Sequence, residues 1–471
     1  MTAVTEPAPA PAPQGGFIAE YFQFAERGTD LVKEAKAGLT TFMVMAYILF
    51  VNPSILSNMF QPPGSPEAVA FIPAASAATA LVAGLLTLAM GIFANAPIAL
   101  AAGLGINGLV AFGLVLTSGL TPAGAMGVIV LEGLVVLLLV IVGLRESIMR
   151  AVPMSLKRSI AVGIGLFILY IGFIDAGVIV KTGGSSAENP VPTTLVFPTE
   201  PAQFVFWFGL VVTIVLWARR VPAALLISIL VTTIVAILAG VQPLPTEFVA
   251  TPSFSTLGQF DLTDVFTKLG ALTAILTIFS FMLIDFFDTM GTATAISEQA
   301  GLVEDDGQPK NIGRILLVDS VAAAAGGAAG ISSNTSYIES AAGVAEGGRT
   351  GFTSVVTGVL FLLAIFLTPL AVLVPFVATG PVLVFVGYLM VSLIKDIDFS
   401  DIEEGLPALF GMILMPLTFS ITVGIGAAFI TYVLIKVVRG KLTEIHPLMW
   451  GVAIAFVIYF GQDWIKPYLP S

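Results

Sequence analysis

Apolar positions along this chain do not alternate with polar ones; they form continuous runs of roughly 15 to 25 residues, near the ~20 a helix needs to cross ~30 Å of hydrocarbon. Alternation is the mark of a transmembrane β-barrel, so helices are expected instead. A first group of runs lies at about 38–57, 73–94, 97–118, 122–145, 156–176, 203–218 and 222–240, followed by a polar, proline-rich connection from Val241 to about Lys268. The second group runs through about 270–294, 313–331, 333–346, 351–374 and 381–395. The stretch 405–438 carries Pro416 and is too long for one ordinary helix; read as two, it brings the total to about fourteen spans. The last apolar stretch, about 447–461 with Trp450, Tyr459 and Trp464 around it, reads as an interfacial helix or an extra crossing.

Basic residues orient the spans, because Lys and Arg near span ends favour the cytoplasm. Arg27, Lys33 and Lys36 precede span 1; Arg145, Arg150, Lys157 and Arg158 lie between spans 4 and 5; Arg219 and Arg220 follow span 6. Lys310 and Arg314, then Arg349, continue the alternation, and a divided 405–438 puts Arg439 and Lys441 on the same side. All fit a cytoplasmic N-terminus. Seven spans, a long connection and seven more predict an inverted repeat, because an odd number of spans turns the second copy over. Such repeats hold their binding site at the midplane, often on broken helices. The third span of each half looks broken: Asn95-Ala-Pro97 and the glycine-studded Gly103-Leu-Gly105-Ile-Asn107-Gly108 in the first, Gly326-Gly327 and Gly330 before Ile331-Ser-Ser-Asn-Thr-Ser-Tyr-Ile-Glu339 in the second. The polar run Ser332 to Ser336 offers N-cap side chains for a helix that starts late, after extended chain. Glycine-rich patches also serve close helix packing, and that reading applies to either segment taken alone.

Composition agrees with an all-α polytopic membrane protein: of 471 residues, 57% are hydrophobic and only 10% charged. The net charge of -11 comes without a basic cluster of the kind that binds nucleic acid, so no nucleic-acid partner is expected. The absence of cysteine excludes thiolate chemistry, and the single histidine, His446, beside Pro447, makes a metal cluster or Ser/His/Asp triad inside the membrane improbable. No enzyme, metal or cofactor is therefore expected. The first 16 residues, rich in Pro and Ala, lack the regions of a secretory signal and read as a disordered cytosolic tail.

Against this background Asp288 and Glu339 stand out, because a carboxylate at bilayer depth costs on the order of 2.5 to 3.5 kcal/mol and is usually kept for a cavity, a partner or a substrate. In Asp285-Phe-Phe-Asp288-Thr-Met-Gly-Thr292, the residues Asp285, Asp288 and Thr292 fall on one helix face, with Asp288 the better ligand and Asp285 a support. Glu339 is expected one turn after Ser336, near the positive end of the late helix. Two such acceptors suit a ligand rich in N–H donors, and one of them could carry a proton. Glu132, Asp175 and Asp319 have no equally suggestive neighbours and are expected to pair structurally.

At these residues the sequence resembles the azaguanine-type purine permeases, the adenine/guanine/hypoxanthine branch of the nucleobase:cation symporters. The stretch Asn334-Thr-Ser-Tyr-Ile-Glu-Ser-Ala-Ala-Gly-Val-Ala-Glu-Gly-Gly-Arg-Thr-Gly351 matches that family's signature, and Asp285-Phe-Phe-Asp-Thr-Met-Gly-Thr292 is its other hallmark. Weaker similarity in Ala37-Gly-Leu-Thr-Thr-Phe-Met43, Val51-Asn-Pro53, Gly163-Ile-Gly-Leu-Phe-Ile168 and Met415-Pro-Leu-Thr-Phe-Ser-Ile421 extends it over nearly the whole chain after about residue 20. The resemblance implies fourteen spans in two inverted seven-span repeats, with spans 1–4 and 8–11 forming a core that moves against a gate of spans 5–7 and 12–14, elevator fashion, in a homodimer.

On that scheme the chain divides into a tail (1–24), core (25–145), gate (146–240), connection (241–268), core (269–375), gate (376–440) and a C-terminal apolar segment (441–471). The resemblance further implies proton-coupled purine uptake across the plasma membrane. Asp288 and Glu339 fall at the substrate positions and Asn107 at the polar position of span 3; Thr292, Thr335 and Ser336 complete the expected site. Glu339, Asp288 and Asp285 are the candidates for the coupling proton. One departure bears on purine preference: Gly108-Leu109-Val110 follow Asn107 where the family has a small residue and aromatics. An anion or sulfate carrier of the same architecture would need basic residues near the broken helices, and a channel a repeated pore-lining motif.

Overall fold

The computed structural model describes residues 16–62, 64–143, 151–181, 193–244, 251–304 and 308–465. The tail up to residue 15, Arg145 and Arg150, and the side chains of Asp175 and Trp464 lie outside the described residues.

Helix starts follow local capping chemistry. Asp30 accepts from the backbone N–H groups of Val32 and Lys33 and opens Leu31–Met45, which continues as Ile48–Ser57 to complete span 1. Ser65 and Thr121 cap Pro66–Ala89 and Pro122–Ile141, each with proline in the first turn, where its missing N–H costs nothing. Span 2 ends at Asn95, whose φ of 47° turns the chain out of the helix. Spans 5, 6 and 7 are the helices Met154–Asp175, Pro201–Ala218 and Ala224–Leu238. In the second half Ala271–Ala300, Ile312–Ala328 and Gly351–Ala364 are spans 8, 9 and 11, and Phe376–Val391 is span 12. The long stretch divides as expected, into Ile402–Thr418 and Ile421–Val438. The break falls at Phe419, in a left-handed conformation, and at the N-cap Ser420, while Pro416 stays inside its helix.

Two segments differ from their sequence assignments, and a third, the last apolar stretch, forms the expected helix. Residues 16–24, expected in the tail, form a helix, Phe17–Tyr21, followed by turns that bury Phe22 and Phe24 edge-on against Phe352. Within the expected connection, Leu262–Leu269 is a helix docked on span 4, where Asp264 accepts from the Thr121 N–H and hydroxyl at 2.9 and 2.7 Å. After Lys441, Pro447–Ile465 is one helix that buries Met449, Ala453 and Phe456, a single face.

Close backbone approach holds each packing group together, as expected where lipid removes the hydrophobic drive between helices. A Cβ on Gly351 would lie 2.0 Å from the Gly91 carbonyl oxygen, which joins spans 11 and 2; one on Gly387 would lie 2.5 Å from the Gly165 oxygen, which joins spans 12 and 5.

Spans 3 and 10 are the broken pair. Leu100–Ala102 and Asn334–Ser336 are short strands paired antiparallel, Leu100 with Ser336, Ala101 with Thr335 and Ala102 with Asn334. The ladder is extended by Gly103 N–H to the Ser333 carbonyl (2.8 Å) and Tyr337 N–H to the Ala99 carbonyl (2.9 Å). Inside a bilayer an extended segment has no water to satisfy its backbone, so each break is viable because it lies against the other. Leu104–Gly108, continued by Leu109–Thr117, completes span 3, and Ser340–Ala345 completes span 10.

Candidate functional site

The second strand is pinned by carboxylates. Asp319 of span 9, 2% exposed, accepts from the Ser336 N–H at 2.9 Å, the Ser336 hydroxyl at 2.8 Å and the Thr289 hydroxyl at 2.6 Å. Thr289 has spent its proton on Asp319, so at 2.8 Å it accepts from the Thr335 hydroxyl. Ser333 donates to Oδ1 of Asp285 at 3.1 Å. The hydroxyls of Thr335 and Ser336, expected at the substrate, are thus buried and engaged with the scaffold. Asp319, expected to pair structurally, does so, and what it holds is the strand of the second break.

The first strand is held differently. The Ser354 hydroxyl donates to the carbonyls of Ala96 (2.8 Å) and Ile98 (2.9 Å), and Ser340 Oγ accepts from the Ala99 N–H at 3.0 Å. Thr87 Oγ1 accepts from the Leu100 N–H at 2.9 Å. Beyond the strand, Asn107 is fully buried, and both its amide atoms lack a hydrogen-bond partner among the described residues. A Cβ at Gly105 would sit 2.6 Å from Ile164 Cγ2, and one at Gly108 would meet Ile171 and the Phe167 ring at 3.1 and 3.5 Å. The tip of span 3 therefore rests directly on helix 154–175.

Asp285, Asp288 and Thr292 do not share one environment. Asp285 is fully buried and Thr292 is 7% exposed, whereas Asp288 is exposed. The reason is angular: three residues advance a helix by 300°, which leaves Asp288 about 60° to the side of the face shared by Asp285 and Thr292. Among the described residues Asp288 has no hydrogen-bond or ion-pair partner, and it lies within electrostatic range of Glu339 and Asp319. A side chain at Gly291, one turn on, would meet no atom within 4 Å, so this edge of span 8 opens on free space. From helix 154–175, Lys157 sits 5.1 Å above the ring of Phe287.

Glu339 is half-buried and accepts from the Tyr47 hydroxyl at 2.6 Å. It occupies the N-cap position of Ser340–Ala345 instead of lying within the helix, because strand pairing keeps the chain extended as far as Tyr337. The rest of the long motif has another task. Fully buried Glu34 accepts from the backbone N–H of Arg349, Thr350 and Thr353 and from the Thr353 hydroxyl, at 2.7, 3.3, 3.1 and 2.6 Å. Asn95 adds the Gly351 N–H at 2.7 Å. Glu346 to Gly351 is therefore the start of span 11 tied to spans 1 and 2, not part of the open face.

A sequence profile of the xanthine/uracil permeases, described as a permease family, matches residues 32–433. The chain belongs to this family. It is 39% identical to guanine/hypoxanthine permease PbuG of Bacillus subtilis over 93% of this chain and 98% of that one. To adenine permease AdeQ of Escherichia coli it is 38% identical over 94% and 96%. Both relatives are named as permeases, not enzymes. Among solved structures it superposes on the transmembrane domain of the cyanobacterial bicarbonate transporter BicA with a TM-score of 0.59 at 13% identity, covering 84% of this chain and 97% of that one. For murine Slc26a9 in its inward-facing state the values are 0.60, 12%, 92% and 74%. This permease accordingly has the fold of two inverted seven-span repeats with core and gate. At such identities the likeness to anion transporters concerns the fold alone.

Proposed function

We propose that this permease imports purine bases of the guanine, hypoxanthine or adenine type across the plasma membrane together with protons, its core moving against its gate, in a homodimer with a cytoplasmic N-terminus. The observation that carries the reading is the accessible, unpartnered Asp288 with Glu339 in electrostatic range, beside the paired breaks of spans 3 and 10. A purine presents N–H donors on one edge and carbonyl or ring-nitrogen acceptors on another. Asp288 and Glu339 take the donor edge; the unpartnered amide of Asn107 is the group left to meet the other. The names of the full-length relatives, guanine/hypoxanthine and adenine permeases, support the substrate class. The same two acids disfavour an anion as cargo, since like charges at close range repel.

Moving a ligand together with two carboxylates through hydrocarbon is costly, and protonation lowers the charge that travels. Glu339, Asp288 and Asp285 are all candidates for that proton. The test is uptake of radiolabelled guanine, hypoxanthine and adenine by cells lacking their own purine permeases. Asp288→Ala and Glu339→Ala are each expected to abolish uptake while the protein remains in the membrane. Normal uptake by both variants refutes the site.

A further inference from the structure

Next to Ser333, just before the second strand, lies a group of acids that substrate binding does not use. Glu132 of span 4 is fully buried, and neither of its carboxylate oxygens has a hydrogen-bond partner among the described residues. Asp285 is equally buried, with Oδ2 unpartnered and Oδ1 bonded to Ser333. Ser333 is the polar neighbour of both acids. The ionisable groups acting on this pair are further acids: Asp319 on both, and Asp288 on Asp285. Asp319 is already saturated by Ser336 and Thr289.

Two ionised carboxylates with free oxygens, within electrostatic range of each other and shut off from water, cost several kcal/mol each without a cation to offset them. We propose that Glu132 and Asp285 hold one exchangeable proton between them, and that this pair, joined through Ser333 to the strand at the substrate, is where the coupling proton resides. The proposal rests on the transport reading above and adds Glu132, which no feature of the sequence motifs marks. The geometry gives the coupling a route. Ser333 stands one residue before Asn334–Ser336, and its carbonyl closes the ladder on Gly103 at 2.8 Å. With the proton bound, Asp285 is a weaker acceptor for Ser333; with the proton lost, it pulls the hydroxyl harder. The strand end next to the substrate carboxylates thereby responds to protonation.

Infrared pH-difference spectra of the purified full-length chain test the site without any purine. The wild type is expected to show the carbonyl stretch of a protonated, buried carboxylic acid, titrating with pH, and Asp288→Ala is expected to retain it. Glu132→Gln should remove the band. Ser333→Ala should move its titration to higher pH, because a hydrogen bond that favours the ionised form has gone. Proteoliposomes supply the second reading: Glu132→Gln should lower proton-driven hypoxanthine accumulation about ten-fold more than hypoxanthine exchange, within the usual range of a coupling energy, and Glu132→Asp should restore part of it. A band unchanged in Glu132→Gln, a titration unmoved in Ser333→Ala, or uptake that follows sodium with no titrating band each overturns the proposal. A wild type that shows the band and its titration but moves no purine instead defeats the transport reading and leaves the proton site standing.

Discussion

The two strands that meet at the crossing are built from opposite chemistry. Leu100–Ala102 has no polar side chain, and hydroxyls of neighbouring helices reach its backbone or the residues just before it: Thr87, Ser340 and Ser354. Asn334–Ser336 carries side chains that are themselves bonded, Ser336 to Asp319 and Thr335 to Thr289, with Ser333 just before it on Asp285. Repeat symmetry supplies two breaks of the same shape, but the charge sits on one side only. The first break thus contributes backbone and a tip seated on helix 154–175, and the second carries the acids. The break whose tip rests on helix 154–175 therefore meets it through Gly105 and Gly108 against apolar side chains, while the other break is held by carboxylates.

The comparison is broken most severely at Asp319. Asp319→Ala removes three hydrogen bonds to a carboxylate, each worth roughly 1.5 to 3 kcal/mol, and should lower stability by about 5 kcal/mol or more and end transport. Thermal unfolding in detergent, beside the uptake assay, measures both. A variant that unfolds like the wild type would show that the second strand does not need its carboxylate and is held, like the first, through its backbone.

The span plan was legible because membrane crossing leaves few options: about twenty apolar residues, then a turn. Even the division of 405–438 could be read, from its length, from Pro416 and from the side on which it puts Arg439 and Lys441. The matching rank of the two breaks was visible in Gly103 to Gly108 and Gly326 to Ser336. What could not be read was pairing across the repeats. The late start of the helix after Glu339, the burial of Thr335 and Ser336, and the role of Asp319 all follow from residue 100 lying beside residue 336, a contact with no local signature. Helical spacing likewise grouped Asp285 with Asp288, although a rotation of about 60° is enough to bury one against Ser333 and leave the other in the open.

A smaller effect sharpens the comparison from the side of the acids. The Tyr47 hydroxyl on span 1 is the side-chain donor to Glu339, at 2.6 Å, and Tyr47→Phe deletes it while keeping the ring. Affinity for purine should fall about ten-fold, equivalent to about 1.4 kcal/mol, with Asp288 untouched. Competition binding by hypoxanthine reports this directly. An unchanged affinity would mean that the backbone at the start of Ser340–Ala345 fixes Glu339 without help from span 1.

Asn107 should give the smallest effect on stability and the clearest view of the first break. Its amide is sealed in without a partner, a state that costs about 1 to 3 kcal/mol for each unmade bond unless a ligand or water completes it. Replacing it by Ala removes that cost along with the side chain, so Asn107→Ala should fold as well as the wild type or slightly better. Binding should move the other way, with purine affinity falling, because the group held in reserve for the acceptor edge of the ring is gone. Opposite signs in thermal unfolding and in binding would mark Asn107 as the one polar element of span 3 kept for a ligand. Loss of both together would make it part of the scaffold, and the first break would then offer the substrate nothing but its backbone and its shape.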